Sequence, residues 1–142
     1  MDNQDSQENI ILFTVYGEPA SKANSRRMVR FGNRPAFIKS DKAIKYGNMF
    51  LEQCPTLEKL LTDDVKVEMV IHYATRRPDL DESLILDLMQ GKIYENDRQV
   101  REKHIYWGHS REKPRSIIRV SPMESGNIPS YLRCEPDGQE TP

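Results

Sequence analysis

The chain has 142 residues and a formal net charge of −1, the length of one domain and enough to bury about 68–70% of its unfolded surface without disulfides or structural metal. Apolar residues make up 37% and charged residues 30%, a lean composition that leaves room for loose ends, and no apolar run approaches the ~20 residues that cross a bilayer. The acidic opening MDNQDSQENI excludes a signal or transit peptide, and two isolated cysteines, Cys54 and Cys134, argue against a zinc ribbon and for a reducing, cytoplasmic setting.

Residues 1–8 read as a disordered acidic tail. Residues 10–16 (IILFTVY) form a short apolar, β-branched and aromatic run ended by Gly17 and Pro19, which predicts a strand. The segment GEPASKANSRRMVRFGNRP is rich in turn formers and bases and reads as a loop or irregular hairpin, with residues 36–39 extended. Ser40 or Asp41 caps a helix through Cys54, because Ala43, Ile44, Met49, Phe50 and Leu51 fall near helical spacing and Pro55 stops it. From Val65 the alternation is clean: Val65, Val67, Met69, Ile71 and Tyr73 share one face, and Lys66, Glu68 and His72 the other, a half-buried strand. A second helix is predicted over 82–90, with Leu84, Ile85, Leu88 and Met89 as its stripe and Gly91 as its C-cap. After a loop at 94–97, strands are expected over 99–107 and 116–120, joined by a turn. Tyr106 and Trp107 then read as core or dimer-interface residues. Residues 121–142 mix Pro, Gly, Ser and acids, the composition of a disordered or partner-binding tail. The order predicts an α+β domain over 9–120, with a small mixed sheet and two main helices.

The net charge hides a segregation. Residues 1–8 and 121–142 carry −3 each, which leaves +5 on residues 9–120. Within that middle, 22–45 holds Lys22, Arg26, Arg27, Arg30, Arg34, Lys39, Lys42 and Lys45 against Asp41 alone. Such a stretch fits a polyanion-binding surface, since neutralised phosphates release their counterions. On charge alone, a solvated face is the favoured explanation.

Asp79 and Asp81 follow the clean strand, and residues two apart in an extended backbone point to one side. The helix after them and the loop beyond return a third carboxylate, Asp97, toward the same end of the sheet. Converging carboxylates repel unless a cation joins them, and hard oxygen ligands suit Mg²⁺ or Mn²⁺, which activate water at a phosphodiester. The same residues also have ordinary uses: Asp81 suits the N-cap of the next helix, and Asp79, after Pro78, suits a turn.

The run RRPDLDESLILDLMQGKIYENDRQVREKHIYW resembles the RusA family of Holliday-junction resolvases: a strand, an Asp-Leu-Asp segment and a helix, then a loop with a further Asp and a strand opening on Gln-Val. GEPASKANSRRMVR is similar to the family's opening segment, and the likeness spans roughly residues 9–120. The resemblance implies a homodimeric, Mg²⁺-dependent endonuclease that cuts four-way DNA junctions by paired symmetric nicks. It implies Asp79, Asp81 and Asp97 as metal-holding catalytic carboxylates. The basic segment supplies Lys22, Arg26, Arg27 and Arg30 as DNA-contact candidates beside the alternative of a solvated loop, with Lys22, in the family-like PASK stretch, the one to approach the scissile phosphate. Two-fold symmetry suits a substrate with two equivalent strands to cut. The chain departs from the family pattern at three points. Glu82 stands where Asn is usual, and Ile85 where a Lys often stands, so another cation (Lys22, Lys92 or Arg98) has to replace it. The spacing from Asp81 to Asp97 is short, and a gap inside the helix makes Asp87 the match of the family's mid-helix Asp. Glu82 and Asp87 are therefore secondary candidates. Two rivals stand beside this reading: a branched-DNA-binding module without turnover, and a DxD enzyme holding a nucleotide–metal complex. The latter lacks a Gly-rich phosphate loop, and no D/E-x-K follows Asp79 to make a PD-(D/E)xK nuclease.

Overall fold

The computed structural model describes residues 9–21, 26–76, 79–124 and 128–133. In β4 (Val65–Tyr73) every odd-numbered residue is buried and every even-numbered one half-buried, as a pleated strand with one covered face requires. β4 pairs antiparallel with β6 (Arg115–Pro122) and parallel with β5 (Val100–His109), and β6 also carries β1 (Ile11–Tyr16) antiparallel. The order is β1-β6-β4-β5, a mixed sheet. The parallel pair demands a crossover connection, and α2 (Ser83–Leu88) lies within it. α1 (Asp41–Gln53) starts at Ser40, whose Oγ accepts the Ala43 N–H at 3.2 Å. Val15, Ile71, Ile118, Tyr46, Phe50, Ile85 and Met89 belong to one core in which strands and both helices meet. The Phe50 ring sits edge-on to Phe13 at 6.3 Å and tilted to Tyr46 at 6.1 Å. Among the described residues no helix is long and apolar enough to cross a membrane.

The α+β class, the mixed sheet and the two helices match the expectation, with four local corrections. The basic segment is regular: β2 (Arg26–Phe31) and β3 (Arg34–Lys39) form a two-stranded hairpin of their own. Gly32, at φ +65° and followed by an Asn33 without positive φ, allows a two-residue type II′ turn whose twist matches the strands. α2 covers 83–88 rather than 82–90, because Gly91 at φ +82° turns the chain and donates its N–H to the Tyr94 carbonyl at 2.8 Å. β6 runs two residues into the expected tail, with Ser121 buried beside Lys66. Tyr106 and Trp107 lie on the edge strand β5 and are 59% and 39% exposed, so neither is a core residue.

Candidate nucleic-acid site

Asp79 and Asp81 lie on the segment between β4 and α2. Tyr73, the last residue of β4, turns its buried phenol so that Oη accepts the Asp81 N–H at 3.2 Å. The Asp81 carboxylate accepts the Ser83 N–H at 3.0 Å and the Ser83 hydroxyl at 2.6 Å, one residue ahead of the N-cap position, which Glu82 occupies. One of its oxygens thus satisfies an orphan donor at the start of α2. Glu18 accepts the Ala74 N–H at 2.6 Å and holds the GEPAS loop, with Ala20 and Ser21 buried, against the end of β4.

Glu82 is largely buried at 16% exposure and receives Lys103 Nζ at 2.5 Å. Lys103 reaches it from β5, a cation that no helical or motif spacing marks because a different strand delivers it. Ile85 is fully buried in the core, which accounts for the absence of a lysine there. Of the cations expected to replace that lysine, Lys92 donates to the Leu51 and Cys54 carbonyls at 2.8 and 3.5 Å, closing the C-terminal end of α1. Its charge opposes the burial that pushes the Cys54 thiol up to about 11. Arg98 is exposed in the 3-10 turn Asp97–Gln99, and Lys22 lies outside the described residues.

Asp97 opens that turn. Because Val100 pairs with Val65, Asp97 arrives beside the start of β4, not at the end from which the chain leaves toward Asp79 and Asp81. The expected return to one end of the sheet does not occur, and the reason is the parallel crossover, which must bring β5 back to the beginning of its partner. What the chain does bring together is Asp97 and Asp87. Gln90 Oε1 accepts the Asp97 N–H at 2.9 Å while Gln90 Nε2 donates to Asp87 Oδ1 at 2.9 Å. Both carboxylates bear on Tyr94, whose fully buried phenol donates to the Leu86 carbonyl at 2.6 Å. Burial first, then the charges of Asp97 and Asp87, hold that phenol well above its ordinary range.

Gln99 fixes the turn: its Oε1 accepts the Glu95 and Asn96 N–H groups at 3.0 and 2.9 Å, and its Nε2 donates to the Leu61 and Asp63 carbonyls at 2.8 and 2.9 Å. The Gln of the Gln-Val pair is thus fully committed to architecture, with four bonds for a side chain that offers two donors and one carbonyl. Its signal in the sequence was the capping spacing Asn96-x-x-Gln99.

Lys39, at the base of the basic hairpin, pairs with Asp87 at 3.6 Å, and Arg27 pairs with Asp41 at 3.9 Å. The hairpin is thereby held beside the acidic turn. Arg26, Arg27, Arg30 and Arg34 are all exposed on it.

Asp79 and Asp81 precede α2, six residues and so about 9 Å long, and Asp97 follows it. Among the described residues no three His, Cys, Asp or Glu side chains stand together in a group that could hold a metal ion. As placed, the carboxylates present two smaller acidic sites, one on each side of α2, rather than one centre. No family model matches the chain, and no curated protein matches it.

Proposed function

We propose that this chain is a structure-selective endonuclease of branched DNA, RusA-like in fold, acting as a homodimer that nicks four-way junctions symmetrically. The observation that carries the reading is the Lys39–Asp87 contact at 3.6 Å, which joins a hairpin of exposed arginines to the end of α2, where Asp87 shares Gln90 with Asp97. A phosphodiester backbone drawn to the first is presented to the second. Asp79, Asp81 and Asp97 are the carboxylates assigned to cleavage, and the arginines at 26, 27 and 30 are assigned to the backbone. Lys103 is the cation available beside Glu82. Dependence on Mg²⁺ or Mn²⁺ comes with the resemblance to the family.

The separation of Asp81 from Asp97 by α2 favours a second reading, a branched-DNA-binding module without turnover. The test is cleavage of a labelled four-way junction against matched linear duplex, with Mg²⁺, Mn²⁺ or EDTA, for wild type and Asp81→Asn. Paired nicks that need the metal and vanish in the variant are expected. Tight junction binding with no nick under either metal selects the binding module, and no preference for the junction overturns both.

A further inference from the structure

The hairpin carries more than charge. Phe31 is 65% exposed and Met28 58% exposed on a strand whose other members are Arg26, Arg27, Val29 and Arg30. Single exposed apolar residues are ordinary, but the position of Phe31 is not. The ion pairs Arg27–Asp41 and Lys39–Asp87 fasten the base of the hairpin, whereas Phe31 is four residues further along β2, about 14 Å from that base at ~3.4 Å per residue. It pairs with Arg34 across the two-residue turn, and Arg30 precedes it. The turn itself makes no use of an aromatic ring. It requires the positive φ of Gly32, and a Cβ there would meet nothing within 4 Å, so the tip stands in open space.

An apolar side chain at the end of a projecting β-ribbon, with a guanidinium on each side, has the chemistry of a wedge that enters a base step while flanking cations hold the phosphates. Base steps in continuous duplex resist this because unstacking costs a few kcal/mol. At a branch point the stacking is already interrupted, so insertion costs less there. We propose that Phe31 is the residue by which this protein selects a branch point over plain duplex, inserting its ring between bases at the crossover while Arg30 and Arg34 contact the adjoining phosphates. The proposal rests on the branched-DNA reading above and adds the element that distinguishes branched from linear DNA.

The experiment uses a four-way junction with 2-aminopurine at the branch point and a linear duplex of the same sequence, both in EDTA so that no strand is cut. Wild-type protein is expected to raise the 2-aminopurine emission, which reports unstacking. Phe31→Ala is expected to bind the junction about ten- to a hundredfold more weakly, the range of one lost base–aromatic stack, and to leave the emission low even at saturation. Its affinity for linear duplex should not change. Phe31→Leu, which keeps an apolar wedge, should retain most of the signal. The double variant Arg30→Gln, Arg34→Gln should lose affinity for both DNAs, with a salt slope shallower by about 2, and still raise the emission once saturated. Because Phe31 is exposed, an unchanged melting temperature shows that its substitution leaves the fold intact. If Phe31→Ala unstacks the junction as wild type does, or weakens duplex and junction equally, the wedge is overturned and the branched-DNA reading stands. If wild type shows no preference for the junction, that reading falls and the wedge falls with it.

Discussion

β4 and β2 are both strands, and they are held in place by opposite means. β4 has five of its nine residues buried, in strict alternation, between two hydrogen-bonded neighbours and two helices. β2 has none buried, pairs only with β3, and is fastened to the rest by two exposed ion pairs of 3.6 and 3.9 Å. Burial of apolar area is strong and non-directional, whereas exposed ion pairs contribute 0 to about 1 kcal/mol each. The stable part of the molecule is therefore its scaffold, and the cationic hairpin is the weakly anchored part. An isolated two-stranded ribbon is marginal in water, so the hairpin opens locally at lower free energy than the sheet.

The largest test of that contrast is Phe50→Ala, which removes a ring packed between Phe13 and Tyr46. It should cost about 3–5 kcal/mol in urea unfolding, while Met28→Ala on the hairpin stays within about 0.5 kcal/mol. If the two values approach each other, the hairpin is part of the core and the division fails.

Gln99→Ala should cost about 2 kcal/mol, because it removes four hydrogen bonds, two from the Glu95 and Asn96 N–H groups and two to the Leu61 and Asp63 carbonyls. Loss of protection at those two amides in hydrogen exchange would locate the effect.

Gly108→Ala tests the solvent face of the sheet. A Cβ there would press against the His72 ring at Nδ1, and such crowding costs about 1–3 kcal/mol. His72 also carries a pH dependence. Burial first and Arg115 second hold the His72 imidazole below its ordinary 6.5, so the folded protein prefers the neutral ring. The stability it contributes is complete above pH ~6.5, the unfolded value, and is lost as pH falls toward the lower folded value. His72→Gln should flatten the urea midpoint between pH 7 and 5; an unchanged slope would assign the acid loss to other groups.

Lys39→Ala should also cost little, within about 1 kcal/mol, because both partners are half-exposed. Its consequence should appear instead as faster amide exchange in β2 and β3, with β4 unchanged. Equal change in both would show that the ion pair holds more than the hairpin.

The scaffold was legible because its periodicity is a local property. Ser40 before Ala43, Pro55 after the helix, and the odd-numbered apolar residues of β4 each announce themselves within a few positions, since a cap needs only the next turn and a pleat only its own faces. The hairpin was not legible in detail, because its half-covered face offers only Val29, Ala36 and Ile38 and no run of alternating apolar residues, and Arg, Pro and Gly surround them. Of the two places expected for Trp107, core or dimer interface, the core fails for a related reason: aromatic residues suggest burial, but only the place of β5 at the edge of the sheet decides whether burial occurs within the chain. The site was half legible. Asp79, Asp81 and Asp97 were singled out by residue type and spacing, and Asp87 only through the family resemblance, yet their grouping was not legible, because grouping depends on which end of the sheet the crossover reaches.

The sequence by itself determined the class, the two helices, the buried face of β4 and the segregation of charge, all of which follow from short-range periodicity and composition. Only the tertiary structure decided that Asp97 pairs with Asp87 through Gln90 rather than with Asp81, that Lys103 meets Glu82, and that Phe31 stands at the tip of a fastened arm. The widest of these contacts spans 48 positions, Lys39 to Asp87, and the packing of separate elements against one another sets them. No spacing along the chain encodes that packing, because it is chosen by the burial of the whole core at once.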